Sequence, residues 1–321
     1  MKPVAIIFGN NEYDINRVYA KEQMKRLGDL TDLIPTIINK DNAAANVDLL
    51  EKVEVIFATW GFPVLPEELI EKMTNLRAIF YAASSVKYFA EPYLKRGVSV
   101  IPGAYANGEF VARYTMSQIF LSGKNYFRHV AGLDVTPPAH GSHHLTVGVI
   151  GAGNIGRLMI RMLLAEGHDV LVYDPYLHED LGARQVTLEE LFEGSDIVTN
   201  HAPNTPETRG MLNRHLFELM KPGATFINTG RGASVDESDM CEVFIQRTDL
   251  TALLDVTYPE PMAKNSPMRL LKNIIVTPHI AGALGTEVTH MADFCIDQYE
   301  EYQKTGKCSA MITLEELPRL S

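Results

Sequence analysis

The chain has 321 residues, which is enough for about two domains of ordinary size. It is 46% hydrophobic and 21% charged, as is typical of globular proteins, and its formal net charge is −11. An acidic chain without a long basic run is a poor match for a phosphate backbone, so we expect no nucleic-acid partner.

The cysteines and the N-terminus indicate the expected compartment. Cys241, Cys295 and Cys308 are odd in number and widely spaced, so they predict no metal site and fit a reducing environment. The apolar run after Met1 is too short for a signal peptide and predicts a first strand. No stretch approaches the roughly 20 apolar residues that span a bilayer. We therefore expect a cytoplasmic protein without a membrane partner.

Strand-like and helix-like segments alternate over residues 4–103. Five short apolar runs predict buried strands: Val4–Phe8, Leu33–Ile38, Val53–Thr59, Leu76–Ala82 and Val98–Ile101. Helical patterns lie between them, at Val18–Leu27, Pro66–Met73 and Tyr88–Arg96. Such repeats predict a small parallel sheet with helices on both faces.

A second α/β series follows a long helical pattern at Asn107–Phe127 and a loop rich in Pro, Gly and His at Leu133–His144. Its predicted strands are Val147–Ile150, Asp169–Tyr173, Asp196–Asn200, Thr225–Thr229, Leu250–Asp255 and Ile274–Thr277. Its predicted helices are Asn154–Glu166, which Gly167 can cap, a short one opened by the Thr187–Glu190 capping box, and Thr286–Thr305. The two series are tandem units and not a detectable repeat.

A glycine-rich turn joins the first strand and the first helix of the second series. Its sequence, Gly151-Ala152-Gly153-Asn154-Ile155-Gly156, matches the GxGxxG pattern of dinucleotide-binding turns. Gly151 allows the tight turn, Gly153 lets the backbone approach a pyrophosphate, and Gly156 lets the helix pack closely on the sheet. Free N–H groups and the dipole at the helix N-terminus favour the negatively charged pyrophosphate.

Asp174 follows the next strand and lies 18 residues after Gly156. This is close to the spacing expected for an acid that binds the ribose of a dinucleotide. A carboxylate accepts hydrogen bonds from a 2′-hydroxyl and repels a 2′-phosphate, so NAD is favoured over NADP. The alternative is a turn or capping aspartate before Pro175, but the surrounding strand–turn–helix–strand pattern favours the cofactor site.

Three polar residues, Arg231, Glu260 and His279, stand at or just past the ends of strand-like runs. Open parallel sheets bind ligands at the carboxyl ends of their strands, so a cation, a carboxylate and an imidazole can converge beside a dinucleotide. Such a set can move a proton and a hydride on a small anionic substrate. By position alone, each could instead be a surface or structural residue. His201, at another strand end, is interpreted as making a backbone hydrogen bond.

Six ordered segments together resemble the D-isomer-specific 2-hydroxyacid dehydrogenase family. They are Gly151–Gly156, Tyr173-Asp174-Pro175, His201-Ala202-Pro203-Asn204-Thr205-Pro206-Glu207-Thr208, Asn228-Thr229-Gly230-Arg231-Gly232, Leu254-Asp255-Val256 with Glu260-Pro261, and Thr277-Pro278-His279-Ile280-Ala281-Gly282. The resemblance is strong over Val147–Gly282 and weaker over the first hundred residues.

The resemblance implies an α/β fold of two doubly wound parallel-sheet domains, Rossmann-like and flavodoxin-like, with the active site in an interdomain cleft. We expect residues 1–105 plus 288–321 to form the substrate domain. Residues 106–287 would then form the NAD-binding domain.

The resemblance also implies catalytic roles. Arg231 would pair with the substrate carboxylate through its planar guanidinium and polarise the adjacent carbonyl. The flanking glycines, Gly230 and Gly232, indicate a backbone held close to a ligand. His279 would be the general acid/base, and Glu260 would hold its ring and favour the protonated form.

A set of cofactor contacts follows from the same resemblance. Asp255 would bond the nicotinamide carboxamide, and Pro203 and Thr229 would line the nicotinamide pocket. The full expected NAD-binding set is Gly151, Gly153, Asn154, Ile155, Gly156, Asp174, Pro203, Thr208, Thr229, Arg231, Asp255 and His279. The implied reaction is hydride transfer between nicotinamide C4 and C2 of a small 2-oxo acid or its D-2-hydroxy acid.

The expected substrate loop departs from the family pattern. Family members usually carry a glycine and an aspartate there, whereas this chain has Ala82-Ala83-Ser84-Ser85-Val86-Lys87. We expect Ala83, Ser84 and Ser85 to contact substrate together with Arg231 and His279. Arg113 stands where the family usually has glutamate, which changes an ion-pair pattern near the domain junction. These departures indicate a divergent member and leave the identity of the acid open.

Two functions of different classes remain. The first is an NAD-dependent oxidoreductase, and the alternative is a dinucleotide-sensing regulatory protein without physiological turnover, like the family's corepressor relatives. The altered serine loop favours the alternative, whereas the absence of basic recruitment tails opposes it. A metabolic enzyme that has lost its activity is a third possibility. The resemblance also implies a homodimer formed through the cofactor domain by the Asn107–Phe127 helix.

Overall fold

The computed structural model of the protein describes residues 2–134 and 141–320. Backbone contacts divide the chain into two compact units. The first consists of Met1–Asn107 with Ala283–Ser321, and the second of Gly108–Gly282. The sequence-based boundaries were residues 105 and 287, so the structure places the first crossing slightly later and the second slightly earlier.

The first unit contains a five-stranded, fully parallel sheet. Its strands are β1 (Val4–Phe8), β2 (Asp32–Ile38), β3 (Val55–Ala58), β4 (Ala78–Tyr81) and β5 (Ser99–Pro102). Their spatial order, β2-β1-β3-β4-β5, is that of a flavodoxin-like doubly wound sheet. The five predicted strands are confirmed, with ends that shift by no more than two residues.

Helices α1 (Glu12–Val18), α2 (Lys21–Leu30), α3 (Val47–Leu50), α4 (Glu67–Lys72) and α5 (Ala90–Lys95) follow the strands of this unit. The predicted Val18–Leu27 helix was wrong at its start, because α1 ends at Val18 and α2 begins at Lys21. Tyr19 leaves the helical conformation with ψ 75°. Its fully buried ring places the hydroxyl to donate to the Ala58 carbonyl, which explains the break.

The C-terminal helix α12 (Val288–Thr305) belongs to the first unit and packs against α1, α2 and β4. Its Tyr299 ring packs edge-on to both Phe57 and Phe80, which stack on each other with centroids 5.5 Å apart. Gly306 ends the helix in the left-handed conformation at φ 71°. The apolar stripe of α12 therefore completes the core on one face of the five-stranded sheet.

The second unit contains a seven-stranded, fully parallel sheet in the order β12-β11-β10-β9-β6-β7-β8. Its strands are β6 (Thr146–Ile150), β7 (Asp169–Tyr173), β8 (Arg184–Gln185), β9 (Ile197–Asn200), β10 (Thr225–Asn228), β11 (Thr251–Leu254) and β12 (Ile274–Val276). The strands that follow β6 are added first on one side of it (β7, β8) and then on the other (β9 to β12), so the strand order reverses at β6. In open α/β sheets, this reversal marks the crevice in which ligands bind.

The helices of the second unit are α6 (Ala104–Ser122), α7 (Tyr126–Val130), α8 (Asn154–Ala165), α9 (Leu188–Gly194), α10 (Arg214–Leu219) and α11 (Glu237–Gln246), with α6 beginning in the first unit. The predicted Asn107–Phe127 helix was too long, because α6 ends at Ser122. Asn125 has φ 54°, a left-handed conformation that separates α6 from α7. The predicted capping box of Thr187 and Glu190 is confirmed at the start of α9.

Part of the predicted Leu133–His144 loop, residues 135–140, lies outside the described residues. Within residues 2–134 and 141–320, no helix is long and apolar enough to cross a membrane. The same ranges contain no group of three or more His, Cys, Asp or Glu side chains arranged to hold a metal ion.

Candidate active site

The glycine turn lies at the point where the sheet order reverses, between β6 and α8. Gly151 has φ 86°, a conformation that favours glycine. A Cβ on Gly156 would lie 1.8 Å from the carbonyl oxygen of Gly151, so the helix can approach the strand only without a side chain there. A Cβ on Gly153 would have no atom within 4 Å. The turn therefore leaves open space at Gly153, in front of the N-terminus of α8, which fits a pyrophosphate group.

These two glycines allow a paired prediction. Gly156→Ala should lower the free energy of unfolding by about 2–3 kcal/mol, because the methyl group must displace backbone. Gly153→Ala should leave that free energy within about 1 kcal/mol but weaken NADH binding, since its methyl group enters the open space. Urea unfolding and NADH titration measure the two effects. Equal stability of both variants would contradict the packing argument.

Asp174 follows β7 and is tied to the glycine turn. Its Oδ2 accepts a hydrogen bond from the backbone N of Ala152 at 2.7 Å, and its Oδ1 accepts one from the N of Tyr176 at 2.8 Å. An open cavity of about 500 Å³ lies beside it, lined by Tyr173, Asp174, Pro175, Gln185, Val186, Thr187, Leu188, Glu189 and Glu190. A carboxylate thus stands at the mouth of a cavity large enough for a nucleoside.

A buried amide network holds the loop that carries Arg231. The Arg231 carbonyl accepts hydrogen bonds from Asn228 Nδ2 at 3.2 Å and from Ser234 Oγ at 2.8 Å. Asn228 Oδ1 in turn accepts from Asn200 Nδ2 at 3.0 Å and from the N of Gly230 at 3.1 Å. Asn200, Asn228 and Ser234 are fully buried or nearly so. This network was not predicted from the sequence, although asparagine ends two neighbouring strands.

The two glycines beside Arg231 lie against neighbouring backbone. A Cβ on Gly232 would lie 2.2 Å from the backbone carbon of Thr257, and one on Gly230 would lie 2.9 Å from the carbonyl oxygen of Asn200. Neither glycine has a positive φ. Both glycines therefore allow close contact between protein loops, and the expected approach of their backbone to a ligand stays a prediction.

His279 and Glu260 form a direct pair. Nδ1 of His279 lies 2.5 Å from Oε1 of Glu260, and both side chains are about half exposed. Because Nδ1 is engaged by the carboxylate, Nε2 is the ring nitrogen that can exchange a proton with a substrate. His279 has φ 55°, and its N–H donates to the carbonyl oxygen of Asp255 at 2.9 Å.

The charge of Glu260 also acts on Arg231. Loss of hydration lowers the pKa of the Arg231 guanidinium, and the negative charge of Glu260 opposes that shift. Nη1 of Arg231 donates to the carbonyl oxygen of Gly230 at 2.8 Å. The second unit thus brings together a desolvated cation, a carboxylate and an imidazole, as expected for Arg231, Glu260 and His279.

Asp255 is buried and has three protein donors. Its Oδ1 accepts from Thr277 Oγ1 at 2.6 Å and from the N of Ile280 at 2.8 Å, while its Oδ2 accepts from the N of Ala281 at 2.8 Å. The structure therefore gives Asp255 a role in shaping the turn around His279. Its expected bond to a nicotinamide carboxamide stays a prediction.

His201 lies among threonine hydroxyls at the end of β9. Its Nε2 is 3.0 Å from Thr199 Oγ1, and its Nδ1 is 3.5 Å from Thr229 Oγ1. Its backbone N donates to the carbonyl oxygen of Ile150 at 2.8 Å. Desolvation lowers the pKa of its imidazole to about 3, so the ring is neutral at physiological pH. A neutral ring held by hydroxyls is unsuited to donating a proton.

The remaining expected cofactor residues lie in the loops after β9 and β10 and at the start of α8. Thr208 Oγ1 donates to the carbonyl oxygen of Pro203 at 2.5 Å, which closes the loop on itself. Thr229 Oγ1 lies 3.1 Å from Thr115 Oγ1 of α6. Asn154 and Ile155 open α8. Their contacts with NAD stay predictions.

The expected substrate loop lies after β4 in the first unit. Ala83 is buried, whereas Ser84 and Ser85 are partly exposed. Ser84 Oγ accepts a hydrogen bond from Asn107 Nδ2 at 3.0 Å, and Asn107 Oδ1 accepts one from the N of Ala283. Arg113, which stands where the family usually has glutamate, has an exposed guanidinium that pairs with Glu109 one turn earlier on the same helix.

Known proteins are similar to this chain in sequence and in fold. Residues 125–281 match the family description "D-isomer specific 2-hydroxyacid dehydrogenase, NAD binding domain". A D-3-phosphoglycerate dehydrogenase of Methanocaldococcus jannaschii is 31% identical over 247 residues, which cover 72% of this chain and 47% of that protein. A hydroxypyruvate reductase of Thermotoga maritima is 29% identical over 265 residues, covering 77% and 87% of the two chains.

Among solved structures, the D-lactate dehydrogenase of Aquifex aeolicus, in complex with NAD and lactic acid, superposes with a TM-score of 0.66 at 27% identity. The match covers 95% of this chain and 99% of that one. The chain spans half or less of the length of several curated relatives, with values between 27% and 50%. The similarity therefore extends over the whole fold for some relatives and over one part for others.

Proposed function

We propose that this chain, which belongs to the D-isomer specific 2-hydroxyacid dehydrogenase family, is an NAD(H)-dependent oxidoreductase that interconverts a small 2-oxo acid and its D-2-hydroxy acid. The observation that carries the proposal is the 2.5 Å pair of His279 and Glu260 in the unit that also contains Arg231 and the glycine turn. A partly buried guanidinium suits a carboxylate, and a paired imidazole suits a hydroxyl proton.

NAD, when bound, supplies the carbon that gives or accepts the hydride. The residues of this chain would do the rest. Arg231 would bind the carboxylate of the 2-oxo acid and draw electron density from its carbonyl. Nε2 of His279 would give a proton to the carbonyl oxygen as C2 gains the hydride, and would take it back during oxidation. Glu260 would stabilise the imidazolium form before the transfer.

The direct test is oxidation of NADH in the presence of a panel of 2-oxo acids. Glyoxylate, pyruvate, hydroxypyruvate, phenylpyruvate and branched-chain 2-oxo acids span the range of side chains, and NADPH serves as the parallel cofactor. We expect turnover with NADH on at least one of these acids. Tight NADH binding without turnover on any of them would contradict the proposal and favour a dinucleotide-sensing protein.

Cofactor preference should depend on Asp174. We expect the wild-type protein to favour NADH over NADPH, because this carboxylate would repel a 2′-phosphate. Asp174→Asn should reduce that preference by roughly tenfold, since it removes the negative charge that repels the 2′-phosphate at short range. The ratio of kcat/KM for the two cofactors measures the effect. An unchanged ratio would exclude Asp174 as the residue that discriminates between them.

We also propose a homodimer formed through the second unit. Leu121 of α6 and Tyr126 and Val130 of α7 expose apolar surface, with Val130 70% exposed. Light scattering after size exclusion should therefore give twice the chain mass of 35.7 kDa. Val130→Glu should shift the population toward a single chain, because it would place a charge in an apolar interface. A wild-type mass of one chain would remove this proposal.

A further inference from the structure

The turn that carries His279 is held in a conformation that needs support. A non-glycine residue in the left-handed region, such as His279 at φ 55°, is less stable than one in ordinary backbone. The following N–H groups, of Ile280 and Ala281, both donate to the carboxylate of Asp255. The position of the imidazole therefore depends on where Asp255 is held.

The protons around Asp255 fix the direction of a longer chain of hydrogen bonds. Two backbone N–H groups at 2.8 Å donate to its two carboxylate oxygens, which marks Asp255 as the acceptor of this chain. The single hydroxyl proton of Thr277 is thus used on Asp255, at 2.6 Å. Tyr114 Oη lies 3.1 Å from the same Thr277 oxygen. Because Thr277 has no second proton, the phenol of Tyr114 must be the donor.

We propose that Tyr114 is a positioning residue for the acid–base step, which acts through Thr277 and Asp255 on the turn of His279. All of these residues lie in the second unit, with Tyr114 on α6, Asp255 after β11 and Thr277 after β12. The phenol is half-buried, and loss of hydration raises its pKa, so it keeps its proton at physiological pH. This inference rests on the proposed function.

The next residue of α6 makes an equivalent link to the loop of Arg231. Thr115 Oγ1 donates to the carbonyl oxygen of Val111 at 2.8 Å, so its contact with Thr229 at 3.1 Å must be accepted from Thr229. Thr229 directly precedes Gly230 and Arg231. Adjacent residues of one helix thus reach the two strand ends that lead to the carboxylate-binding cation and the proton donor. Helix α6 thus helps to fix the positions of both strand ends.

The kinetic test compares Tyr114→Phe with the control Tyr302→Phe. Tyr302 is a half-buried residue of α12, and its phenol makes only a long hydrogen bond, of 3.5 Å, to the Arg77 carbonyl. With NADH and the most active acid of the panel, Tyr114→Phe should lower kcat about tenfold and change KM for NADH less than twofold. Thr277→Val should have a similar effect. The double variant should be no worse than Thr277→Val alone, because both changes break one chain.

Two further measurements separate positioning from a general structural role. In a His279→Ala background, Tyr114→Phe should no longer change the residual rate, because the residue that it positions is gone. Amide exchange of the peptide that spans residues 277–282 should become faster in Tyr114→Phe and stay unchanged in Tyr302→Phe. Unchanged exchange, or an undiminished rate effect without His279, would overturn the inference. A wild-type protein without turnover would instead overturn the proposed function, and the exchange result would still decide the link.

Discussion

Replacing His279 with alanine should lower kcat by about a thousandfold, within the range that a positioned acid or base contributes. The change removes the nitrogen that gives the proton to the carbonyl oxygen and leaves Glu260 without its partner. The dissociation constant of NADH should stay within about twofold, since the glycine turn is untouched. Steady-state kinetics with the most active 2-oxo acid and a fluorescence titration with NADH measure the two quantities.

A surface histidine gives the matched control. His215 on α10 is exposed, so His215→Ala should keep the wild-type kcat. Glu260→Gln should fall between wild type and His279→Ala, because it keeps a hydrogen-bond acceptor for the ring but loses the charge of the carboxylate. If His279→Ala turns over at the wild-type rate, the assignment of the general acid/base is wrong, whatever the cofactor affinity.

Replacing Arg231 with glutamine should lower kcat/KM for the 2-oxo acid by about 30- to 1,000-fold. The loss combines the charge-assisted pairing with the carboxylate and the polarisation of the carbonyl, about 2–4 kcal/mol in total. Arg231→Lys should recover only part of the loss, since an ammonium group has no planar fork to match a carboxylate. The measurement is kcat and KM for each variant at saturating NADH.

The exposed Arg96 of the first unit, whose guanidinium donates to the Glu71 carbonyl, provides the control for this series. Arg96→Gln should behave as wild type. A full recovery of kcat/KM in Arg231→Lys would show that charge alone is enough and would exclude the bidentate arrangement. If Arg231→Gln weakens only NADH binding, Arg231 belongs to the cofactor site and not to the substrate site.

The sheet strands and the three catalytic candidates could be predicted for a common reason. A fully buried parallel strand is a short continuous apolar run, and such runs were visible from Val4–Phe8 to Ile274–Thr277. Once the strands are located, the residues after them are known to face one edge of the sheet. Arg231 and His279 follow directly from that geometry, whereas Glu260 lies farther along its loop, and its expected role came from the family resemblance.

The supporting contacts could not be predicted because they join distant parts of the chain. Tyr114 and Thr277 are 163 residues apart, and neither has a partner that a periodic pattern would indicate. Helix boundaries failed where one residue left the helical region, as at Tyr19 and Asn125. The contact of Gly232 with the backbone of Thr257 was not predicted, because a glycine beside a ligand and a glycine beside a neighbouring backbone look identical in sequence.

The location of the proposed catalytic residues in one unit has a consequence for how such a protein can change over generations. Arg231, Glu260, His279 and the contacts that anchor them all lie within Gly108–Gly282, whereas the Ala83-Ser84-Ser85 loop belongs to the other unit. Substitutions in that loop leave the residues that anchor His279 and Arg231 unchanged in sequence. Selection can therefore explore new substrates while the reaction itself is inherited intact, and a grafted loop is the corresponding experiment for an engineer.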